Sequence, residues 1–273
     1  MKSRAAATPF ALWMSIFTVV PMAIVVWFAF TDESGAFTLA NIAEIWQYAG
    51  TYVDSIWMGA LATVICLVLA YPVALSISRK SEHMQRTMVM IVMLPMWMNF
   101  LLRTYAWMTL LENNGLINQF LRWIGVVGSD AHVELINTDG AVVLGMVYNF
   151  LPFMILPLYS VMAKMDNRII EAAQDLGSNS WQVFRRVILP LSAPGIVSGV
   201  TMVFVPAVST FVISKLLGGS KNMMIGDVIE SMFVGDGCNY NVGAALSLVL
   251  MLICMSVMRK VDNGEDELGG MMA

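Results

Sequence analysis

Long apolar segments alternate with short polar segments along the whole chain. The apolar runs cover residues 10–30, 55–78, 87–111, 140–163, 191–214 and 238–258, and only Arg103 interrupts them with a charge. These runs are about twice as long as the ~10-residue strand of a membrane barrel, and they do not alternate in polarity. A helix of about 20 apolar residues crosses the ~30 Å hydrocarbon core. The pattern therefore predicts about six transmembrane helices.

The composition supports this prediction. Hydrophobic residues make up 58% of the 273 positions and charged residues only 12%, whereas soluble domains are about a quarter charged. In lipid, helices and closed barrels satisfy every backbone hydrogen bond, so the predicted fold class is an all-α, polytopic membrane protein. The first run is longer than the ~7–15-residue core of a signal peptide, and we interpret it as an uncleaved span.

The distribution of charge predicts the orientation. Eleven of the fifteen Lys and Arg residues lie before the first run, in 79–86, in 164–190 or after residue 258, and three lie in the other loops. Under the positive-inside rule, both termini are cytoplasmic. The outer loops then hold eleven of the nineteen acidic residues. This surplus fits either the default of that rule or a face that attracts cations.

Polar residues within the predicted spans suggest a translocation path. Arg103 is the only charge inside a run, and a charge in a span is costly enough to mark a functional candidate. It is expected either to anchor its helix by snorkelling or pack against other helices, or to act as a gate or line the pathway. The candidate pathway residues are Trp97, Asn99, Arg103, Tyr105, Tyr148 and Asn149. Interfacial belts and helix packing explain such residues equally well.

The residues that bind metals, nucleotides or redox groups are not arranged for that chemistry. Cys66 and Cys254 lie in apolar runs, Cys238 stands alone, and the chain has two histidines and no C-x-x-C. A G-x-x-x-x-G-K-[ST] phosphate loop is also missing from the sequence. We therefore expect no cofactor, no metal and no catalytic residues in this chain, and no nucleic-acid partner.

The connection 164–190 predicts two short amphipathic helices. Asp166 or Asn167 is placed to cap the first, and Ser178 or Ser180 the second. Gly177 stands where a left-handed helix end is expected. The apolar stripes comprise Ile169, Ile170, Ala173 and Leu176 in the first helix, and Trp181, Phe184, Val187 and Ile188 in the second. Such a pair either lies on lipid headgroups or docks a soluble partner.

The same connection carries the pattern E-A-A-x3-G-x9-I-x-L-P, and it resembles the signature of ABC importer permeases. The matching positions are Glu171, Ala172, Ala173, Gly177, Val187, Leu189 and Pro190, with Val187 in the usual isoleucine position. The resemblance implies that this loop enters a cleft on a nucleotide-binding subunit. Glu171 would make a polar contact there, the two alanines would allow close approach, and Gly177 would form the turn.

Three further stretches, at 100–107, 145–160 and 216–229, resemble spermidine/putrescine permeases. This resemblance implies the type I importer fold and a polyamine substrate in a bacterial inner membrane. The implied partners are a homologous second permease, two copies of a cytoplasmic ATP-binding subunit and a periplasmic substrate-binding protein. The expected divisions are an N-terminal helix with its outer loop (1–54), a permease core (55–258) and a cytoplasmic acidic tail (259–273). Within this tail, residues 262–273 are expected to be disordered.

Two other classes of function are weighed against this one. An ion-driven secondary transporter would place carboxylates or histidines near the middle of its spans, and an intramembrane enzyme would need a nucleophile with a base or H-E-x-x-H. The apolar runs contain neither arrangement. An ABC importer for a different small solute remains compatible with the sequence.

Overall fold

A computed structural model describes residues 2–32, 34–128, 131–219, 222–234 and 238–270. In chain order its α-helices are α1 (Lys2–Ala29), α2 (Ala40–Glu44), α3 (Ala49–Ser78), α4 (Glu82–Met93), α5 (Phe100–Leu111), α6 (Leu116–Trp123), α7 (Asp139–Met162), α8 (Asn167–Asp175), α9 (Ser180–Val183), α10 (Leu189–Leu191), α11 (Ala193–Val208), α12 (Ile225–Val234) and α13 (Tyr240–Gly270). Two 3₁₀ turns cover Ile45–Tyr48 and Leu94–Trp97, and two π-turns cover Phe184–Ile188 and Ser214–Gly218. In the described part of the chain, β-structure is limited to one bridge between Thr31 and Phe37.

The described helices include four that are long and apolar enough to cross a membrane. They lie within Leu12–Ala29, Ala40–Ser78, Asp139–Met162 and Tyr240–Val261. Two bent helix pairs complete the set, and counting each pair as one span gives six. The all-α architecture with about six spans is therefore confirmed. We call the end of the bundle that carries residues 164–190 the docking end, and the opposite end the far end.

The third span is not the single straight helix that the apolar run predicts. It bends by 83° between Glu82–Trp97 and Phe100–Trp123. At the bend Met98 is extended, with φ −76° and ψ 147°. The Asn99 side chain then caps α5 by accepting a hydrogen bond from the Leu101 N–H at 2.8 Å. A side-chain cap replaces the helical partners that these amides lose, so the chain starts a new helix in a new direction.

The fifth span is also interrupted. Ser180–Leu191 and Ala193–Val208 meet at 63° around Ser192, and α11 ends at Val208 rather than continuing through residue 214 as the apolar run predicts. The π-turn Ser214–Gly218 follows after a short non-helical step. Breaks in membrane helices are tolerated where neighbouring groups satisfy the freed backbone. Here the Ser209 hydroxyl bonds back to the Val205 carbonyl at 2.9 Å.

Helices α3, α7 and α11 form the core of the bundle. Their facing positions are buried and mostly small or flexible: Ala62, Cys66, Ala70, Met146, Met154, Leu158, Val203 and Ala207. Gly195 and Gly199 lie one turn apart on α11, against α7. A Cβ on Gly195 would be 3.1 Å from the Pro157 carbonyl oxygen, and one on Gly199 would be 2.6 Å from Met154 Sδ. Small residues at this spacing let two membrane helices approach closely.

Helix α1 lies at the edge of the bundle. It packs on α13, and most of its large apolar side chains are exposed; Trp13, for example, is 61% exposed. Polar ties fix this edge: the Asn41 side chain donates to the Thr31 carbonyl at 2.8 Å, and the Tyr52 hydroxyl donates to the Leu246 carbonyl at 2.6 Å. Helix α13 continues to Gly270, so the prediction of a disordered tail is wrong as far as that residue.

The contact between α7 and α11 can be tested by overpacking. We expect Gly195→Leu to destabilise the protein by about 1–3 kcal/mol, because the new side chain meets backbone atoms of α7. Gly50→Leu is the matched control, since a Cβ at Gly50 meets no atom within 4 Å. Thermal unfolding in detergent measures both variants. Equal stabilities for the two would contradict the close packing of these helices.

Candidate functional site

We call residues 164–190 the docking loop. Its first half is a helix with well-defined ends. The Asp166 carboxylate caps α8 by accepting the Arg168 N–H at 2.9 Å, as one of the two predicted caps. At the other end Gly177 has φ +83°. The Gly177 N–H donates to the Gln174 carbonyl at 2.8 Å, and the Ser178 N–H donates to the Ala173 carbonyl at 3.1 Å. This pair of bonds is a Schellman motif, which confirms the predicted left-handed glycine.

The second half begins one residue away from the predicted caps. Asn179, not Ser178 or Ser180, caps α9. Its side chain accepts the Gln182 N–H at 2.8 Å, and the Gln182 side chain accepts the Asn179 N–H at 2.9 Å. A reciprocal capping box satisfies two free amides at once, which a serine at 178 or 180 cannot do with this glutamine. The chain then passes through the π-turn Phe184–Ile188 into α10.

Much of the apolar surface of the docking loop is uncovered. Leu176 is 87% exposed and Trp181 is 66% exposed. Of the seven predicted docking residues, Glu171, Ala172, Gly177 and Leu189 are exposed, whereas Ala173, Val187 and Pro190 are half-buried. The docking loop, whose sharp turn at Gly177 we call the elbow, therefore exposes a polar residue (Glu171), two small residues (Ala172 and Gly177) and large apolar side chains on one accessible element. Exposed apolar surface rimmed by polar groups is typical of an interaction site.

A line of aromatic contacts joins this surface to the core. Trp181 stacks on Phe184 with ring centroids 5.5 Å apart, and Phe184 meets the edge of Tyr71 in α3, also at 5.5 Å. The Tyr71 hydroxyl lies 2.8 Å from Ser192 Oγ, at the bend before α11. A continuous line of contacts therefore connects the exposed tryptophan to α3 and to the bend before α11. The sequence analysis missed Tyr71, because its partners are 113 and 121 positions away in the chain.

The structure separates the six predicted pathway residues into three groups, which are exposed, half-buried and buried. Trp97, Asn99 and Tyr105 lie on the surface around the break in the third span, with Trp97 81% exposed. Half-buried Tyr148 meets the edge of Trp107 with ring centroids 5.3 Å apart. By contrast, Arg103 and Asn149 lie in the interior. The three exposed residues are placed to contact a solute or a second protein. Arg103 and Asn149 are not exposed for such a contact in the isolated chain.

Arg103 does not snorkel to a membrane surface, which was one of the roles expected for it. It is only 8% exposed, and its Nε and Nη1 have no hydrogen-bond partner among the described residues. An unsatisfied buried donor is expensive. Helix packing and the gate or pathway role both stay predictions.

A cavity of about 630 Å³ opens between the far ends of α3 and α7. One stripe of α3 lines it with Asp54, Trp57, Leu61 and Ile65, and Asp139 lies at the start of α7. Further along α3, Pro72, Val73 and Ser76 face α4. The departure of α5 at the bend leaves the far part of the stripe uncovered. The spacing of Asp54, Trp57 and Leu61 on one helical face was the signal that could have revealed it.

Two acidic residues at the far end bind groups of the chain itself and are not free carboxylates at the surface. Glu230 pairs with Lys215 at 3.0 Å. Asp227 is 3% exposed and accepts the Met224 N–H at 2.8 Å. Burial raises the pKa of the Asp227 carboxyl, and hydrogen bonds from Ser214 and Met224 offset this shift only in part. The negative charge that a solute meets therefore comes from other carboxylates, including exposed Asp54 and Asp139.

Comparison with known proteins gives a family and close relatives. The family of binding-protein-dependent transport system inner membrane components matches residues 3–262. The spermidine/putrescine transport system permease protein PotB of Haemophilus influenzae is 38% identical over 249 residues, which cover 88% of this chain and 86% of the relative. PotB of Escherichia coli is 35% identical over 249 residues, with 88% and 90% covered.

Solved structures show the same fold at low sequence identity. A bacterial ABC transporter involved in the import of the acidic polysaccharide alginate has a chain that superposes with a TM-score of 0.76 at 18% identity, covering 97% of this chain and 94% of that one. A chain of the MetNI methionine ABC transporter superposes with a TM-score of 0.59 at 17% identity, covering 83% and 98%. The importer-permease fold is therefore confirmed, as is the resemblance found in the sequence.

The link between the docking loop and the core can be tested at Tyr71. We expect Tyr71→Phe to cost about 1 kcal/mol, because it removes the hydrogen bond to Ser192. Amide hydrogen exchange should then become faster between residues 180 and 192 and stay unchanged at the far end. Ser76→Ala on the same helix is the control, since that exposed hydroxyl bonds only to the Pro72 carbonyl one turn away. Equal exchange in both variants would rule out this link.

Proposed function

This chain belongs to the family of binding-protein-dependent transport system inner membrane components, and we propose that it forms half of the translocation path of a polyamine importer. It is a permease subunit of an ABC importer, a class favoured over the secondary transporter and the intramembrane enzyme considered above. The remaining points concern how it couples to ATP, what assembles with it and what it carries.

The observation that carries the proposed mechanism is the exposed elbow tied to the core. Glu171, Leu176 and Trp181 lie on its accessible surface, and Tyr71 connects it to α3 and α11. We propose that a cytoplasmic ATP-binding subunit receives this surface. Closure of the two ATP-binding subunits would move the elbow, and the aromatic line would pass that motion to the core helices.

The broken spans suit alternating access. The half-helix α5 and the segment before α11 are joined to their spans by bends of 83° and 63°. Local breaks and π-turns let one part of a helix reorient without unfolding the rest. In this mechanism the chain supplies a path and a coupling lever. ATP hydrolysis takes place on the partner subunits, and this chain binds no cofactor.

A complete transporter requires further subunits. We propose a homologous second permease that closes the path, with a periplasmic binding protein delivering substrate at the far end. The basic residues at the docking end support a cytoplasmic position for that end in a bacterial inner membrane. The surface residues Trp97 and Tyr105 then face the second permease or the solute between the two chains.

The polyamine assignment rests on the named relatives and on the cavity at the far end. Polyamines carry ammonium groups on methylene chains. Asp54 and Asp139 supply carboxylates at the mouth of the cavity, Trp57 supplies an indole face, and Leu61 and Val143 supply apolar wall. Carboxylates and aromatic faces are the groups that hold ammonium ions. The cavity therefore matches the chemistry of an alkyl diamine better than that of an anionic or sugar solute.

Docking can be tested by co-purification. We expect Glu171→Lys and Gly177→Pro each to abolish capture of the ATP-binding subunit and transport. Gly177 has φ +83°, whereas proline is restricted to about −65°. Gly125→Pro is the matched control, because Gly125 is another exposed glycine after a helix with φ +75°. Normal capture and uptake by the two docking variants would refute the docking surface.

The substrate can be tested by uptake of labelled putrescine and spermidine in cells lacking this chain. Wild-type protein should restore uptake. Exposed ion pairs contribute about 0.2–1 kcal/mol, so Asp54→Asn and Asp139→Asn should each reduce uptake by about two- to fivefold. Glu134→Gln is the control, since Glu134 is exposed in a far-end loop but does not line the cavity. Uptake of neither amine by the wild type would point to another small solute.

A further inference from the structure

A second cavity lies at the base of the docking loop. It holds about 330 Å³ and is bounded by the ends of α3, α4 and α7 and by the first turn of α8. Leu75 and Met162 form its apolar part, and Arg79, Lys80 and Ile170 complete the wall. Because α3 ends at Ser78 and α7 ends at Met162, the cavity lies where two spans leave the membrane. We refer to it as the basal cavity.

Positive charge dominates the basal cavity. Arg79 and Lys80 line it, and neither has a carboxylate partner in the described part of the chain. Glu82 also lines it but lies 3.7 Å from Arg86, which balances its charge. Helix α4 starts here after Ser81, whose side chain makes no capping hydrogen bond. The free amides of that first turn add a positive helix end to the two cationic side chains.

The carbonyl groups of the turn do not oppose this charge. The Gln85 side chain donates to the Ser78 carbonyl at 3.0 Å and to the Lys80 carbonyl at 2.7 Å. Its own oxygen accepts the Tyr159 hydroxyl at 3.0 Å. Gln85 therefore holds the turn against α7 and occupies acceptors that would repel an anion. The backbone of the turn is therefore fixed, and it presents the exposed basic side chains of Arg79 and Lys80 at the cavity.

We propose that the basal cavity binds the phosphate of an anionic phospholipid headgroup. Its depth at the ends of two spans matches the headgroup region, and its apolar upper part suits the first carbons of the glycerol esters. Basic pockets between membrane helices on the cytoplasmic side are typical sites for anionic lipids. Because Ile170 of α8 forms one wall, the bound lipid supports the docking helix and strengthens coupling to ATP. That last effect rests on the proposed function.

The test uses the complete transporter in lipid discs. We compare discs of phosphatidylcholine with discs that also contain phosphatidylglycerol, and we measure substrate-stimulated ATP hydrolysis and the lipid retained in native mass spectra. The variants are Arg79→Gln, Lys80→Gln and both together. Lys260→Gln is the control, because Lys260 is an exposed basic residue in the C-terminal part of α13 and does not line the basal cavity.

We expect phosphatidylglycerol to be retained by the wild type and by Lys260→Gln, and to stimulate hydrolysis in both. A basic residue near anionic lipid contributes about 1 kcal/mol, which is about a fivefold change in affinity. Each cavity variant should therefore lose about fivefold in lipid affinity, and the double variant most of the stimulation. Retention and stimulation equal to the wild type in the double variant would overturn the proposal.

Two other results would also overturn it. Equal stimulation by inorganic phosphate in phosphatidylcholine discs would make the ligand a soluble anion. Loss of the ATP-binding subunit from the cavity variants in every lipid would make the site an acceptor for an acidic side chain of that subunit. Failure of the proposed function is distinguishable, because then the wild type captures no ATP-binding subunit in any disc, whether or not it retains lipid.

Discussion

Close contact among α3, α7 and α11 is the constraint on which the rest of the structure depends. Lipid tails are as apolar as the side chains, so burial supplies little attraction between helices in a membrane, and tight packing must hold them together. Gly195 and Gly199 meet the backbone of α7, and Gly59 meets Val208 at the end of α11. The other spans attach to this core through fewer contacts, and α1 lies exposed at the edge.

In contrast to the tightly packed helices α3, α7 and α11, the docking loop has little hydrophobic core of its own. It is stable as an element because its helix ends are satisfied locally by Asp166, Gly177 and Asn179. Its connection to the bundle passes mainly through Phe184 and Tyr71. This arrangement leaves a large apolar surface exposed on an element that contacts two core helices. A more deeply buried loop would be more stable but would have no surface to offer.

The two ends of the bundle carry opposite charge for different purposes. Carboxylates of Asp54 and Asp139 stand at the mouth of the far-end cavity. Arg79 and Lys80 line the basal cavity beside the docking loop. Between them the interior is apolar, and the unpaired donors of Arg103 and the free oxygen of Asn149 are among its few unsatisfied polar atoms. They sit in the helices next to the break in the third span, where the packing of the core gives way to mobile segments.

The sequence by itself determined the class of fold, the number of spans, the left-handed turn at Gly177 and the family. Each of these depends on local chemistry: runs of apolar residues, a glycine at a helix end, and the spacing of the docking pattern. Only the tertiary structure decided where the third and fifth spans break, that Asn179 caps α9, that Arg103 is buried and that Tyr71 joins the loop to the core. These features arise from side chains that are distant in sequence and meet only after the helices pack. Apolar periodicity is the same for a straight helix and a bent one, because lipid solvates both equally, so the direction of each helix is set by its neighbours.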